Sequence, residues 1–189
     1  MSIAVAIKKD NHVVLATDSQ TTFGATSLGA NNLTTKKIRR IGSAYLATTG
    51  WGLYEDMLRD FVESRKQPPR LNNQKAIFSF FLKFWKQLHE KYSYVNDQPN
   101  EKDSPFGDLD SSFLIVNSSG IYHVASDMSV TKFEKYFAIG SGCDYALGVV
   151  YALYDELEAK ELAKRAVDAA AHFNVYCGGP LNLIELKAR

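Results

Sequence analysis

Ile3-Ala4-Val5-Ala6-Ile7, then Asp10-Asn11, then Val13-Val14-Leu15-Ala16-Thr17-Asp18-Ser19-Gln20 is the stretch that decides the fold. Two runs of β-branched and alanine residues flank a polar turn pair. This predicts a hairpin over residues 2–9 and 12–18. Both runs are almost continuously apolar, as expected for strands covered on two faces. A hairpin returns the end of its second strand to the start of its first, so Asp18 comes to lie near Ser2. If Met1 is removed, Ser2 becomes a hydroxyl nucleophile that carries its own free amine. A hydroxyl and a base in one residue, with a carboxylate beside them, is a recognised way to activate a weak nucleophile. An ordinary N-terminal hairpin without chemistry at Ser2 accounts for the same residues.

Beyond the hairpin, residues 19–33 hold many Thr, Ser, Gly and Asn and read as a loop with a short strand at most. Residues 34–41 and 44–49 read as strands around the Gly42-Ser43 turn, and Gly50-Trp51-Gly52 breaks the pattern. Leu53, Met57, Leu58, Phe61 and Val62 then recur on one helix face, over residues 53–66. Gln67-Pro68-Pro69 ends that helix. A second helix over 73–92 carries Ile77, Phe80, Phe81, Phe84, Trp85 and Leu88 as a broad aromatic stripe, which reads as core packing rather than a cofactor box. Phe78 and Phe81 widen the stripe beyond one face, so part of it is expected to form a subunit interface. Residues 93–110 read as an exposed loop.

The second half repeats the theme. Residues 112–116 and 121–124 around Asn117-Ser118-Ser119-Gly120 predict a second hairpin. A strand near 133–139 leads into Gly140-Ser141-Gly142, helices follow at about 143–157 and 159–171, and strands near 173–177 and 182–187 close the chain. Strands, two helices, strands, two helices, strands is an order that suits a layered α+β domain with helices outside two packed sheets. No composition shift marks a linker, so residues 1–189 read as one domain.

Composition removes several function classes. The chain of 189 residues is 46% hydrophobic and 23% charged, with a net charge of +1, so no polyanion and no nucleic acid is implied as a partner. Cys143 and Cys177 are too few for a disulfide framework or a four-cysteine zinc site. His12, His89, His123 and His172 show no metal-binding spacing, so no metal is expected. No signal-peptide pattern opens the chain and no apolar run reaches the roughly 18 residues of a spanning helix, so a cytoplasmic protein without membrane contact is expected.

Three further features join Ser2 and Asp18. Lys37 lies on the basic strand Lys36-Lys37-Ile38-Arg39-Arg40, and a lysine beside a nucleophile can tune it by charge. A solvated basic strand is the plainer reading. Gly50, at a strand-to-helix junction, can bring its amide close to a reacting carbonyl and donate to an oxyanion. A plain turn would look the same. Gly140-Ser141-Gly142 stands at another such junction, six residues before Gly148, so the phosphate-cradling spacing fails and a nucleotide site is not expected.

Taken together, the order and spacing of these segments resemble the proteasome β-subunit and HslV peptidase branch of the N-terminal-nucleophile hydrolases. The matching text is the opening hairpin through Gln20, Lys36-Lys37-Ile38-Arg39-Arg40, Ala47-Thr48-Thr49-Gly50, Phe137 to Ala146, the helix Ala159 to Ala171 and the strand Leu183-Ile184-Glu185-Leu186. The resemblance implies a four-layer αββα sandwich with an active site at the start of the first strand. It places the nucleophile on Ser2, the lysine on Lys37, the oxyanion glycine on Gly50 and a supporting serine on Ser141. Asp18 would hold Lys37 charged and oriented, and the Ser2 amine or Lys37 would take the hydroxyl proton. It further implies peptide or unfolded-protein substrates, self-association into rings, an ATP-dependent unfoldase as partner, and no cofactor. The chain departs from the family in carrying Ser for Thr at the nucleophile, which removes the methyl that helps fix its rotamer. A second family carboxylate falls on or near His172, where Asp168 four residues earlier could pair with it. A non-catalytic ring or scaffold subunit, and a small-molecule amidase, are the rival functions; the retained Lys37–Asp18 pair and a first strand with no extension ahead of it speak against the scaffold.

Overall fold

The computed structural model describes residues 2–28, 36–92 and 109–189. In chain order the strands β1 (Ala4–Lys9) and β2 (His12–Thr17) form the opening hairpin, followed by β3 (Thr21–Phe23), β4 (Thr26–Leu28), β5 (Ile38–Ile41) and β6 (Ala44–Gly50). Helices α1 (Gly52–Glu63) and α2 (Gln74–Lys91) come next, then β7 (Ser111–Asn117), β8 (Gly120–Val124), β9 (Val130–Phe133) and β10 (Tyr136–Ile139). Helices α3 (Cys143–Leu153) and α4 (Ala159–Phe173) precede the last strand, β11 (Asn182–Lys187). One sheet runs β10-β1-β2-β11 and a second β5-β6-β7-β8-β9, both with antiparallel pairing throughout.

The layering follows from the period-two alternation of strand side chains. On β1, Val5 and Ile7 point to α3 and α4, where they meet Ala163, Ala166 and Ala170. Ala4 and Ala6 point the other way and pack with Leu114, Val116 and Ile121 of the second sheet. On β7, Phe113 and Ile115 face α1 and α2 and join Phe81, Phe84 and Leu58. Each sheet is therefore covered on both sides, which is why its strands read as unbroken apolar runs. The result is the expected four-layer αββα sandwich. Small alanines between the sheets let them approach, while the aromatic side chains fill the wider gap under α1 and α2.

Several local readings need correction. The run 133–139 is two strands: Glu134-Lys135 breaks it, β9 pairs with β8 in one sheet and β10 with β1 in the other. A strand crossing between sheets cannot be told from one strand by composition alone. Residues 173–177 are not a strand. Helix α4 runs to Phe173, and Asn174 then accepts hydrogen bonds from Tyr176 N and Cys177 N in a tight turn. Residues 21–28 hold a two-stranded ribbon, β3 with β4, where a loop with a short strand at most is expected. Phe81 is fully buried against Phe113, with ring centroids 4.7 Å apart, so it belongs to the core; Phe78 is the exposed member of that pair. The expected loop at 93–110 lies outside the described residues except at its last two positions.

Candidate active site

The β1–β2 register pairs Ala4 with Thr17, so the next residues outward, Ile3 and Asp18, face each other. Asp18 N donates to Ile3 O and Ile3 N donates to Asp18 Oδ1 at 3.1 Å. This short-range geometry delivers the Asp18 carboxylate to the base of Ser2. Lys37 arrives just before β5. Its Nζ lies 2.7 Å from Asp18 Oδ1 and donates to Ser2 Oγ at 2.8 Å. The three side chains thus form a continuous chain from carboxylate to ammonium to hydroxyl.

Asp18 is completely buried. A buried carboxylate is costly unless its lone pairs are satisfied. Here Oδ1 takes Lys37 and Ile3 N, while Oδ2 takes Gln20 N at 3.2 Å and Gly178 N at 3.1 Å. Gly178 also accepts from Ser19 N and Gln20 N, so the turn before β11 is clasped to the end of β2. The sequence reading does not anticipate that clasp. Its signal is Asn174 followed by Gly178-Gly179, turn chemistry between the last helix and the last strand.

The two glycine junctions close on Ser2 from other directions. Gly140 has φ +99°, and a Cβ there would stand 2.2 Å from the Ser2 carbonyl oxygen. Only glycine permits that approach. Gly142 N donates to the same Ser2 oxygen at 3.4 Å. Gly50 ends β6 at φ +120°, where a Cβ would meet Asp110 O at 2.1 Å and Ser111 Oγ at 2.5 Å. Ser2, Lys37 and Gly50 line one open cleft of about 650 Å³, walled by Trp51, the β3–β4 ribbon and the start of α1. Its charged wall is internally paired: Arg39 Nη2 lies 2.6 Å from Glu55, and Arg59 pairs with Asp56.

Ser141 sits behind this cluster. Asn174 Nδ2 donates to its carbonyl at 2.6 Å, its hydroxyl donates to Asn174 Oδ1 at 3.4 Å, and Cys177 Sγ is 3.9 Å away. Burial, reinforced by the charge of Asp18, pushes the Cys177 thiol up, so it stays protonated and serves as packing and a weak hydrogen-bond partner. Asp168 and His172 do not join. Both are exposed on α4, no hydrogen bond or ion pair links them, and the His172 ring packs edge-on against Phe173. The late polar residue that the fold brings toward the site is Asn174, one position beyond the end of α4, because the helix runs past 171 and turns before reaching the cluster.

Comparison with known proteins follows the same outline. The family described as "Proteasome subunit" matches residues 2–185. An "ATP-dependent protease subunit HslV" from Caldicellulosiruptor saccharolyticus is 27% identical over 187 residues, covering 96% of each chain. One from Caulobacter sp. is 28% identical over 184 residues, covering 96% of this chain and 92% of its own. Among solved structures, Thiobacillus denitrificans BPH in complex with epoxomicin superposes with a TM-score of 0.89 at 30% identity over 99% of both chains. The HslV of Trypanosoma brucei, at 19% identity and a TM-score of 0.70 over 98% of this chain and 99% of its own, shares the fold. With its opening hairpin, both glycine junctions and the first four residues of the closing strand inside the matched span, the chain belongs to the proteasome family.

Proposed function

We propose that the chain is a proteasome- and HslV-like peptidase whose nucleophile is Ser2, exposed by removal of Met1. The observation that carries this reading is the unbroken contact from Asp18 through Lys37 to Ser2 Oγ. A scaffold has no need to bury a carboxylate and spend four donors on it beside a hydroxyl. In the reaction Ser2 Oγ attacks the substrate carbonyl and its proton passes to the free Ser2 amine. Lys37 faces the oxygen as negative charge develops on it, and the Gly50 amide donates to the oxyanion of the tetrahedral intermediate. Collapse releases the amine half of the substrate with that proton. Water then hydrolyses the acyl-Ser2 ester and restores the hydroxyl. Ser141 and Asn174 act as positioning groups behind the nucleophile.

The HslV relatives, named as ATP-dependent protease subunits, support peptide or unfolded-protein substrates, a ring of subunits that encloses the cleft, and an ATP-dependent unfoldase as partner. We place that assembly in the cytoplasm. The test is covalent. The processed chain beginning at Ser2 should take one epoxomicin per subunit, with the adduct on Ser2 by peptide mass mapping. A processed chain that hydrolyses peptides yet carries the adduct elsewhere, or a Ser2→Ala variant that retains full activity, overturns the assignment.

A further inference from the structure

Gly50 divides the space around Ser2 in two. On one side is the cleft that Ser2 and Lys37 line. On the other is a second cavity of about 550 Å³, lined by Gly50 together with Asp110, Ser111, Ser112, His123, Ser126 and Ser141. Gly140, packed on the Ser2 carbonyl, lines it as well, so it begins one residue from the nucleophile.

The lining has the character of a recognition site. Ser111 is only 5% exposed and its hydroxyl has no hydrogen-bond partner among the described residues. That hydroxyl points at Gly50, since a Cβ on Gly50 would fall 2.5 Å from it. A buried hydroxyl left unsatisfied is unfavourable unless an incoming group completes it. The charge pattern is equally one-sided. Asp110 is exposed at the rim, and its carboxylate has no hydrogen bond or ion pair among the described residues. No lysine or arginine among the described residues lines the cavity. Burial pushes the His123 imidazole down, so at neutral pH it contributes no positive charge. The cleft on the other side of Gly50 differs, with Lys37 on its wall and with Arg39 and Arg59 paired there to Glu55 and Asp56.

The reaction assigns the two spaces to the two halves of a substrate. The acyl half becomes bonded to Ser2 Oγ, so it occupies the cleft that Ser2 lines. The amine half must extend across Gly50 and Ser141. We propose that the second cavity is the leaving-group subsite and that it selects a cationic, hydrogen-bond-donating side chain, lysine or arginine, directly after the scissile bond. This inference rests on the peptidase reading above. Asp110 supplies the charge, and the Ser111 hydroxyl and neighbouring serines accept the donors.

The experiment uses the processed chain and a set of internally quenched peptides sharing one acyl half, with Lys, Leu or Glu after the cleaved bond; mass spectrometry confirms the cut. Lys should exceed Leu in kcat/KM by about tenfold, and Glu should be poorest, as one uncompensated rim charge allows. Asp110→Asn should bring Lys and Leu within about twofold, and Asp110→Lys should reverse the order of Lys and Glu. Equal rates for Lys, Leu and Glu, or a Lys preference that survives Asp110→Asn, overturn the subsite while leaving the peptidase standing. No cleavage of any peptide by the processed chain overturns both.

Discussion

A single methyl group at Gly140 would collide with the carbonyl of Ser2, the proposed nucleophile, 2.2 Å from its oxygen and 2.9 Å from its carbon. Backbone cannot yield as a flexible side chain would, so the Ser2 main chain must shift. Gly140→Ala is therefore expected to lower kcat by about 10²-fold or more while circular dichroism stays native, because catalysis is lost to misplacement of well under an ångström or two. Lys37→Ala and Ser2→Ala should each cost about 10⁴-fold, and the double variant little more than either, since the groups act as a unit. A double variant that multiplies the single losses would mean that Lys37 acts elsewhere. At this scale the sequence was readable where the contacts are local. Asp18 reaches Ile3 through one hairpin, and residue spacing states that geometry directly. Asn174, Cys177 and Gly178 reach the site across more than thirty or more than a hundred residues, and their local turn chemistry announces a turn but not what that turn meets. His172 stands where the resemblance places a second family carboxylate, and Asp168 joins it only by helical spacing, which fixes a shared face of α4; here both residues are exposed on that face.

At the scale of elements, the helices are governed by how their faces meet the sheets. Phe81 on α2 makes ring contacts with Phe80, Phe84 and Phe113 and is fully buried. Phe81→Ala should cost about 3–5 kcal/mol in urea unfolding, whereas Phe78→Ala, on the exposed side, should stay within about 0.5 kcal/mol in the isolated subunit. The sequence showed the stripe but not its centre line, since Phe80, Phe81 and Phe84 read alike until a facing strand selects among them. Strand β8 carries a pH-dependent element. Burial holds the folded-state value of His123 below its ordinary 6.5, with Asp127 opposing only in part. Above pH 6.5 both folded and unfolded chains are neutral there, so the stability is fully present. As pH falls below 6.5 the unfolded chain takes a proton first, and stability is lost until the folded imidazole also protonates. Denaturant unfolding at about pH 7.5 and about pH 5.5 should show a larger drop in wild type than in His123→Gln. Equal drops would mean that the ring stays open to water.

For the whole molecule, the order of elements carried the layered fold because each sheet had to be covered twice, once by the other sheet and once by a helix pair. What order could not give was the exchange between sheets at Glu134-Lys135, where β9 and β10 part to opposite layers. That crossing ties the two sheets together at the edge next to β1, and it sets Gly140 over Ser2 at the end of β10. The cleft so formed is open to solvent and its walls include the exposed Trp51 and Phe23. An open peptidase site of this kind needs something to restrict access, or it would attack any unfolded chain. A closed ring of identical subunits supplies that restriction without further domains, through head-to-tail contacts that close by rotation. Sedimentation of the processed protein should therefore report an assembly of about a dozen subunits, with contacts burying well over about 1,000 Å² each. Activity toward folded proteins should remain low in that assembly and rise when an unfoldase or a denaturing pretreatment delivers extended chains. A stable 21.1 kDa monomer at micromolar concentration, active on small amides, would instead place Ser2 in an unenclosed amidase and remove the ring from the mechanism.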